Sequence, residues 1–137
     1  MSMVSIEQGY LDSFSGEFLL RCSGSEYSMA ARRQINDQED RWFSDKVPIW
    51  VFGILWRTVA VKIRKHRTLI TQINYVMHID EYLGELSPLM IIDIEFETQE
   101  DSEAFKLPKW MSDVREVTGD ERYGNRQLAI DGLPKQD

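Results

Sequence analysis

Strand-like alternation in this 137-residue chain sets charged side chains where a sheet would bury them. Val61, Ile63, Lys65, Arg67 and Leu69 occupy alternate positions of one stretch, so Lys65 and Arg67 share a strand face with apolar neighbours. Cations in such company are costly to bury unless an anion or an acid meets them. A complementary pattern lies downstream. There Met90, Ile92, Ile94 and Phe96 face one way, and Leu89, Ile91, Asp93, Glu95 and Glu97 the other. By the same parity Arg21 points away from Phe18, Leu20 and Cys22, Arg32 lies with Ser28 and Ala30, and Asp80 lies with His78 and Tyr82. If these faces converge, the sheet curls around a lumen with cations on some strands and carboxylates on others. That arrangement suits a phosphorylated ligand held through a divalent cation. Carboxylate oxygens take Mg²⁺ or Mn²⁺, and Arg and Lys take phosphate oxygens. The competing reading is a half-exposed sheet whose charges form cross-strand pairs.

The elements that would position these groups follow from turn signals and periodicity. Ser13-Phe14-Ser15-Gly16 and Ser23-Gly24-Ser25 punctuate strands expected at 4–10, 17–23, 26–33 and 38–46. Pro48 opens a helix over 49–59, apolar on every side through Trp56 and therefore expected to be buried. Strands follow at 61–70, 72–83 and 89–97. Thr98 is placed to cap a short helix through Phe105, and Asp120 another through Ile130 that Gly132 ends. This order predicts an α+β fold, a single domain over residues 1–137, built on an antiparallel sheet or barrel with a few packed helices.

Composition narrows the function classes. A net charge of −7 disfavours free duplex nucleic acid, because that affinity comes from Lys and Arg displacing counterions. The charge is also segregated. Arg57, Lys62, Arg64, Lys65 and Arg67 cluster without an acid among them, whereas thirteen acids between Asp80 and Glu121 meet only Lys106, Lys109 and Arg115. One cysteine, Cys22, excludes an intrachain disulfide, and its apolar strand face reads as structural. The nearly apolar run from Val47 to Trp56 is half a membrane span, and no signal-peptide pattern opens the chain, so a soluble, cytoplasmic protein is expected. His78 could add a metal ligand beside Asp80, although a cross-strand partner is its plainer role. The four tryptophans, Trp42, Trp50, Trp56 and Trp110, read as core. There is no Gly-rich phosphate loop, paired-Cys metal motif or nucleophile elbow.

Several motifs in fixed order carry a resemblance. Pro48-x-Trp50-x-Phe52-x-x-Leu55-Trp56 is followed by Ile63-x-Lys65-x-Arg67 and by Ile79-Asp80-Glu81-Tyr82-Leu83-Gly84-Glu85-Leu86. Ile92-Asp93-Ile94-Glu95-Phe96 comes next, then Pro108-x-Trp110 and Glu116-Val117-Thr118-Gly119-Asp120-x-Arg122-Tyr123 with Asn125, Leu128 and Ala129. Together with Gln8-Gly9-Tyr10-Leu11, this set resembles the CYTH superfamily, the triphosphate tunnel metalloenzymes. The resemblance implies an antiparallel β tunnel that binds and hydrolyses a triphosphate or polyphosphate with Mg²⁺ or Mn²⁺. Matched to the family, Arg21, Arg32, Arg41, Lys65 and Arg67 are the implied phosphate-binding cations, and Asp80, Asp93 and Glu95 the implied metal ligands.

The chain also departs from the family pattern. The family's opening strand, with Glu-x-Glu-x-Lys, has no counterpart in these residues, so the tunnel is expected to be incomplete. Leu19 and Ser23 stand where further arginines are usual, and Phe43 where an acid is, while Asp45 keeps the next one. Reduced catalysis follows, and the alternative is a non-catalytic anion-binding or assembly protein. The apolar helix and an open sheet edge together predict a homodimer.

Overall fold

The computed structural model describes residues 2–11, 16–36 and 39–135. Seven strands form one antiparallel sheet: β1 (Ser2–Leu11), β2 (Gly16–Ser23), β3 (Glu26–Asn36), β4 (Glu39–Lys46), β5 (Val61–Thr71), β6 (Tyr75–Tyr82) and β7 (Met90–Phe96). Their order across the sheet is β4-β3-β2-β1-β5-β6-β7, so the first strand is central and β4 and β7 are the edges. Three short helices accompany the curled sheet: α1 (Ile49–Trp56), α2 (Gln99–Ala104) and α3 (Asn125–Asp131). The expected antiparallel α+β architecture is the one observed. Strand ends moved by a few residues at most, as at β6, where Gln72 and Tyr75 instead close a turn. Most of the turn expected at Ser13-Phe14-Ser15-Gly16 lies outside the described residues.

Directly opposed residues share a face, so the pairing register assigns every side chain to one side of the sheet. Gln8 opposes Arg21, Arg21 opposes Ser28, and Ser28 opposes Lys46. In the other direction Ile6 opposes Lys65, Lys65 opposes Tyr82, Arg67 opposes Asp80, and His78 opposes Asp93. All of these therefore lie on one face, called inner below. Gly9, Leu20, Tyr27, Met77 and Phe96 lie on the outer face.

Each face carries its own packing. On the inner side Ile63, Tyr82, Leu86 and Leu128 form a buried cluster, with Leu89, Ile91 and Ala129 against it, which docks α3 over β5 to β7. On the outer side Phe52 of α1 meets Tyr27 edge-on at 5.0 Å and stacks on Trp56 at 5.1 Å. Gly9 makes that approach feasible. A β-carbon there would stand 2.6 Å from Val59 and 2.8 Å from Trp56. Thr98 caps α2 as expected, accepting from the Asp101 amide at 3.0 Å. The helix expected from Asp120 is broken instead: residues 121–123 form a 3-10 turn, and α3 starts at Asn125. Asp120 caps the turn rather than a helix.

Within one chain α1 is not buried on all sides. Among its residues Phe52 is buried, whereas Ile49, Trp50 and Ile54 are 62%, 67% and 57% exposed. A helix laid on one face of a single sheet has only one flank to bury, whatever its composition. Trp42 and Trp110, read as core, are also exposed.

Candidate functional site

A cleft of about 700 Å³ opens on the inner face, lined by residues of β1 to β5 and by Asn125 of α3. Arg21, Lys46, Lys65 and Arg67 supply its cations, Asp45 at the β4 edge an acid, and Gln8, Ser28 and Ser44 its neutral polar groups. Lys65 is the most unusual of them. Its side chain is 1% exposed, and its Nζ donates to Asp80 Oδ2 at 2.7 Å. Arg67 clamps the same carboxylate through Nε at 2.7 Å to Oδ1 and Nη2 at 2.9 Å to Oδ2. One carboxylate thus meets two cations, which leaves an excess positive charge on the cleft wall.

The acidities follow from these contacts. Burial alone would raise the Asp80 carboxyl, but hydrogen bonds from Arg67 and Lys65 outweigh it and hold the group below the usual carboxylate range. Burial lowers Lys65 despite the bond to Asp80. The bond to Asp80 raises Arg67. Burial and then the neighbouring Arg67 lower Arg21. Arg21 Nε is buried with no hydrogen-bond partner among the described residues. A cation desolvated beside another cation, with an unanswered donor, is a place where an anion would be stabilised.

Of the five expected phosphate-binding residues, the fold therefore brings Arg21, Lys65 and Arg67 together. Arg32 shares their face but is engaged nearby through Nη1, 2.9 Å from Asp40, while its Nε, 3.9 Å from Glu17, makes no hydrogen bond among the described residues. Arg41 does not join them. It opposes Arg33 on the outer side of the β3–β4 pair and lies 3.8 Å from Glu39. The resemblance alone matched Arg41 to a phosphate-binding position, and the register of β4 to β3 decides which face it takes. The same register brings in Lys46, which sequence reading passed over at the strand end.

The expected metal set divides as well. Asp80 is occupied by Lys65 and Arg67, whereas ligand atoms of His78, Asp93 and Glu95 all lie within 4.8 Å of one another. His78 opposes Asp93 directly, and Glu95 is two residues along the same face. Two exposed carboxylates with one imidazole fit a hard divalent cation that keeps open positions for water or phosphate oxygens.

No protein-family model matches the chain. Individual proteins do. An inorganic triphosphatase of Nitrosomonas europaea is 32% identical over 133 residues, which span 93% of this chain and 85% of that protein. An inorganic triphosphatase of Acetivibrio thermocellus is 43% identical over 55 residues, 40% of this chain and 33% of that protein. A crystal structure of an inorganic triphosphatase superposes with a TM-score of 0.78 at 30% identity, covering 98% of this chain and 86% of the other. A hypothetical protein of Pyrococcus furiosus, at a TM-score of 0.52 and 13% identity over 76% of this chain and 68% of its own, shares the fold alone.

Proposed function

The chain belongs to the CYTH superfamily together with the inorganic triphosphatases it matches, and from that premise we propose that it binds and hydrolyses a triphosphate or short polyphosphate on the inner face of its sheet. The observation that carries this reading is the half-buried Arg21, whose buried Nε has no hydrogen-bond partner among the described residues, beside the Lys65–Asp80–Arg67 cluster. Three cations from β2 and β5 converge on one cleft, and a chain of phosphates is the anion with enough oxygens to meet them all.

Within this reading Arg21, Lys65 and Arg67 bind phosphate oxygens and spread the charge that develops on the leaving group. Asp80 orients the two β5 cations rather than taking a proton, because three charge-assisted bonds hold it ionised. Arg32 and Lys46 extend the basic surface toward the rim. Arg41 contributes no contact to the cleft from its outer position. His78, Asp93 and Glu95 are the residues that would hold the metal, which when bound neutralises phosphate oxygens. Water displaces the terminal phosphate: the new P–O bond forms as the bridging P–O bond breaks, giving orthophosphate and the shortened chain.

The test is release of orthophosphate from tripolyphosphate with Mg²⁺ or Mn²⁺, wild type against Glu95→Ala. Turnover by the wild type that falls at least tenfold in Glu95→Ala is expected. No turnover above that variant, with tripolyphosphate still bound in calorimetry, would instead establish the non-catalytic anion-binding alternative.

The same proposal places the protein in the cytoplasm, where a lone thiol such as Cys22 stays reduced, and excludes free duplex nucleic acid and membranes as partners. It also includes a homodimer through the exposed side of α1, where Ile49, Trp50 and Ile54 form an apolar surface. Light scattering at micromolar concentration should give twice the chain mass of 16.1 kDa. A monomeric mass would remove that part of the proposal.

A further inference from the structure

Asn125 stands at the first position of α3, where the helix docks on the inner face, and its side chain reaches the cleft. Its Oδ1 accepts twice, from Lys65 Nζ at 3.3 Å and from the Tyr82 hydroxyl at 2.7 Å. Chemistry fixes which end of the amide does this. An ammonium group only donates, so the amide end turned to Lys65 must be the oxygen. The Tyr82 hydroxyl remains a donor as well, since burial and the nearby Asp80 push its pKa up. With the oxygen held by two donors, the rotation of the amide is set, and its nitrogen is left with two N–H groups. No partner for that nitrogen is present among the described residues, and Asn125 lines the same cleft as Arg21, Lys65 and Arg67.

We propose that Asn125 is a further ligand-binding residue of this site, a neutral donor whose amide nitrogen bonds a phosphate oxygen while its carbonyl oxygen holds Lys65 and Tyr82 in place. The inference rests on the triphosphate reading and adds to it a contact from outside the sheet. It gives α3 a function beyond covering the Ile63–Tyr82 cluster, because docking of the helix and delivery of the donor become one event. It also distinguishes the roles of the two amide atoms: the oxygen acts on the protein and the nitrogen on the ligand.

Asn125→Asp separates these roles, since the carboxylate can still accept from Lys65 and Tyr82 but presents an oxyanion where the donor was. Metal-free tripolyphosphate binding by calorimetry and thermal unfolding are measured for wild type, Asn125→Asp and Asn125→Ala. The expected result is that Asn125→Asp keeps the wild-type melting temperature within about 2 °C and binds tripolyphosphate at least tenfold more weakly, about 1.4 kcal/mol. Its binding should recover as the pH is lowered and the new carboxyl gains a proton to donate. Asn125→Ala should lose melting temperature and affinity together. If wild type binds and Asn125→Asp binds equally well, or melts as low as Asn125→Ala without selective loss of affinity, the inference is overturned and the triphosphate reading stands. If wild type does not bind tripolyphosphate, both fall.

Discussion

Asp80→Ala should destabilise the protein severely, and tripolyphosphate should restore much of the loss. Lys65 is 1% exposed at its side chain, and its ion-pair partner Asp80 is 7% exposed. Removing the carboxylate leaves Lys65 and the half-buried Arg67 facing one another, with the neutral Asn125 oxygen and the Tyr82 ring as the remaining relief among the described residues. Breaking a buried ion pair from one side typically costs about 3–5 kcal/mol, because the desolvated charge left behind has no counterpart. Against a total stability of about 5–15 kcal/mol for a domain, that is enough to lower the melting temperature by many degrees. An anion entering the cleft would stand in for the lost carboxylate, so the ligand-induced rise in melting temperature should be larger for Asp80→Ala than for the wild type. Equal shifts in the two proteins would contradict the assignment of Lys65 and Arg67 to the ligand.

The pH dependence has a definite sign. Asp80 has a folded pKa below its unfolded value of about 3.9, so its contribution is complete above that value and is lost as pH falls through the folded one. Wild-type melting should therefore decline on acidification below about pH 5, and the Asp80→Ala variant should lack that part of the slope.

The inner face was legible in the sequence because strand parity is a local property. Lys65 and Arg67 among apolar neighbours, or Asp93 and Glu95 opposite Met90 and Ile92, can be read along one strand, and the register then aligned those faces. What parity cannot supply is which face of one strand meets which face of the next. Arg41 shows the limit: it was matched through the resemblance alone, and the pairing with β3 turns it outward. Asp80 shows another, since its face was correctly anticipated and its partners were not. Two cations one strand away claim it, and the third position of the carboxylate cluster goes to His78. The exposure of α1 within one chain has a different origin. Apolar composition expresses a demand for burial, but the neighbours available to meet that demand are a property of the whole fold, and a single sheet offers only one flank.

Arg21→Met should give the opposite combination of effects, weaker ligand binding with no loss of stability. The wild-type guanidinium is desolvated, sits close enough to Arg67 to be repelled by it, and has a buried Nε without an acceptor. Burial and the repulsion from Arg67 outweigh the attraction of Asp80, so a methionine of similar length that keeps the packing of the stem should leave the melting temperature unchanged or raise it. For the ligand the sign reverses. A charge-assisted hydrogen bond to phosphate is worth about 1.5–3 kcal/mol, so tripolyphosphate should bind about 10- to 150-fold more weakly in calorimetry. A group that costs stability in the free protein and returns it only when an anion arrives is the signature of a binding residue rather than a structural one. If Arg21→Met instead melts well below the wild type and retains its affinity, Arg21 belongs to the scaffold, and the cleft's cations reduce to the pair on β5 and Lys46 at the rim.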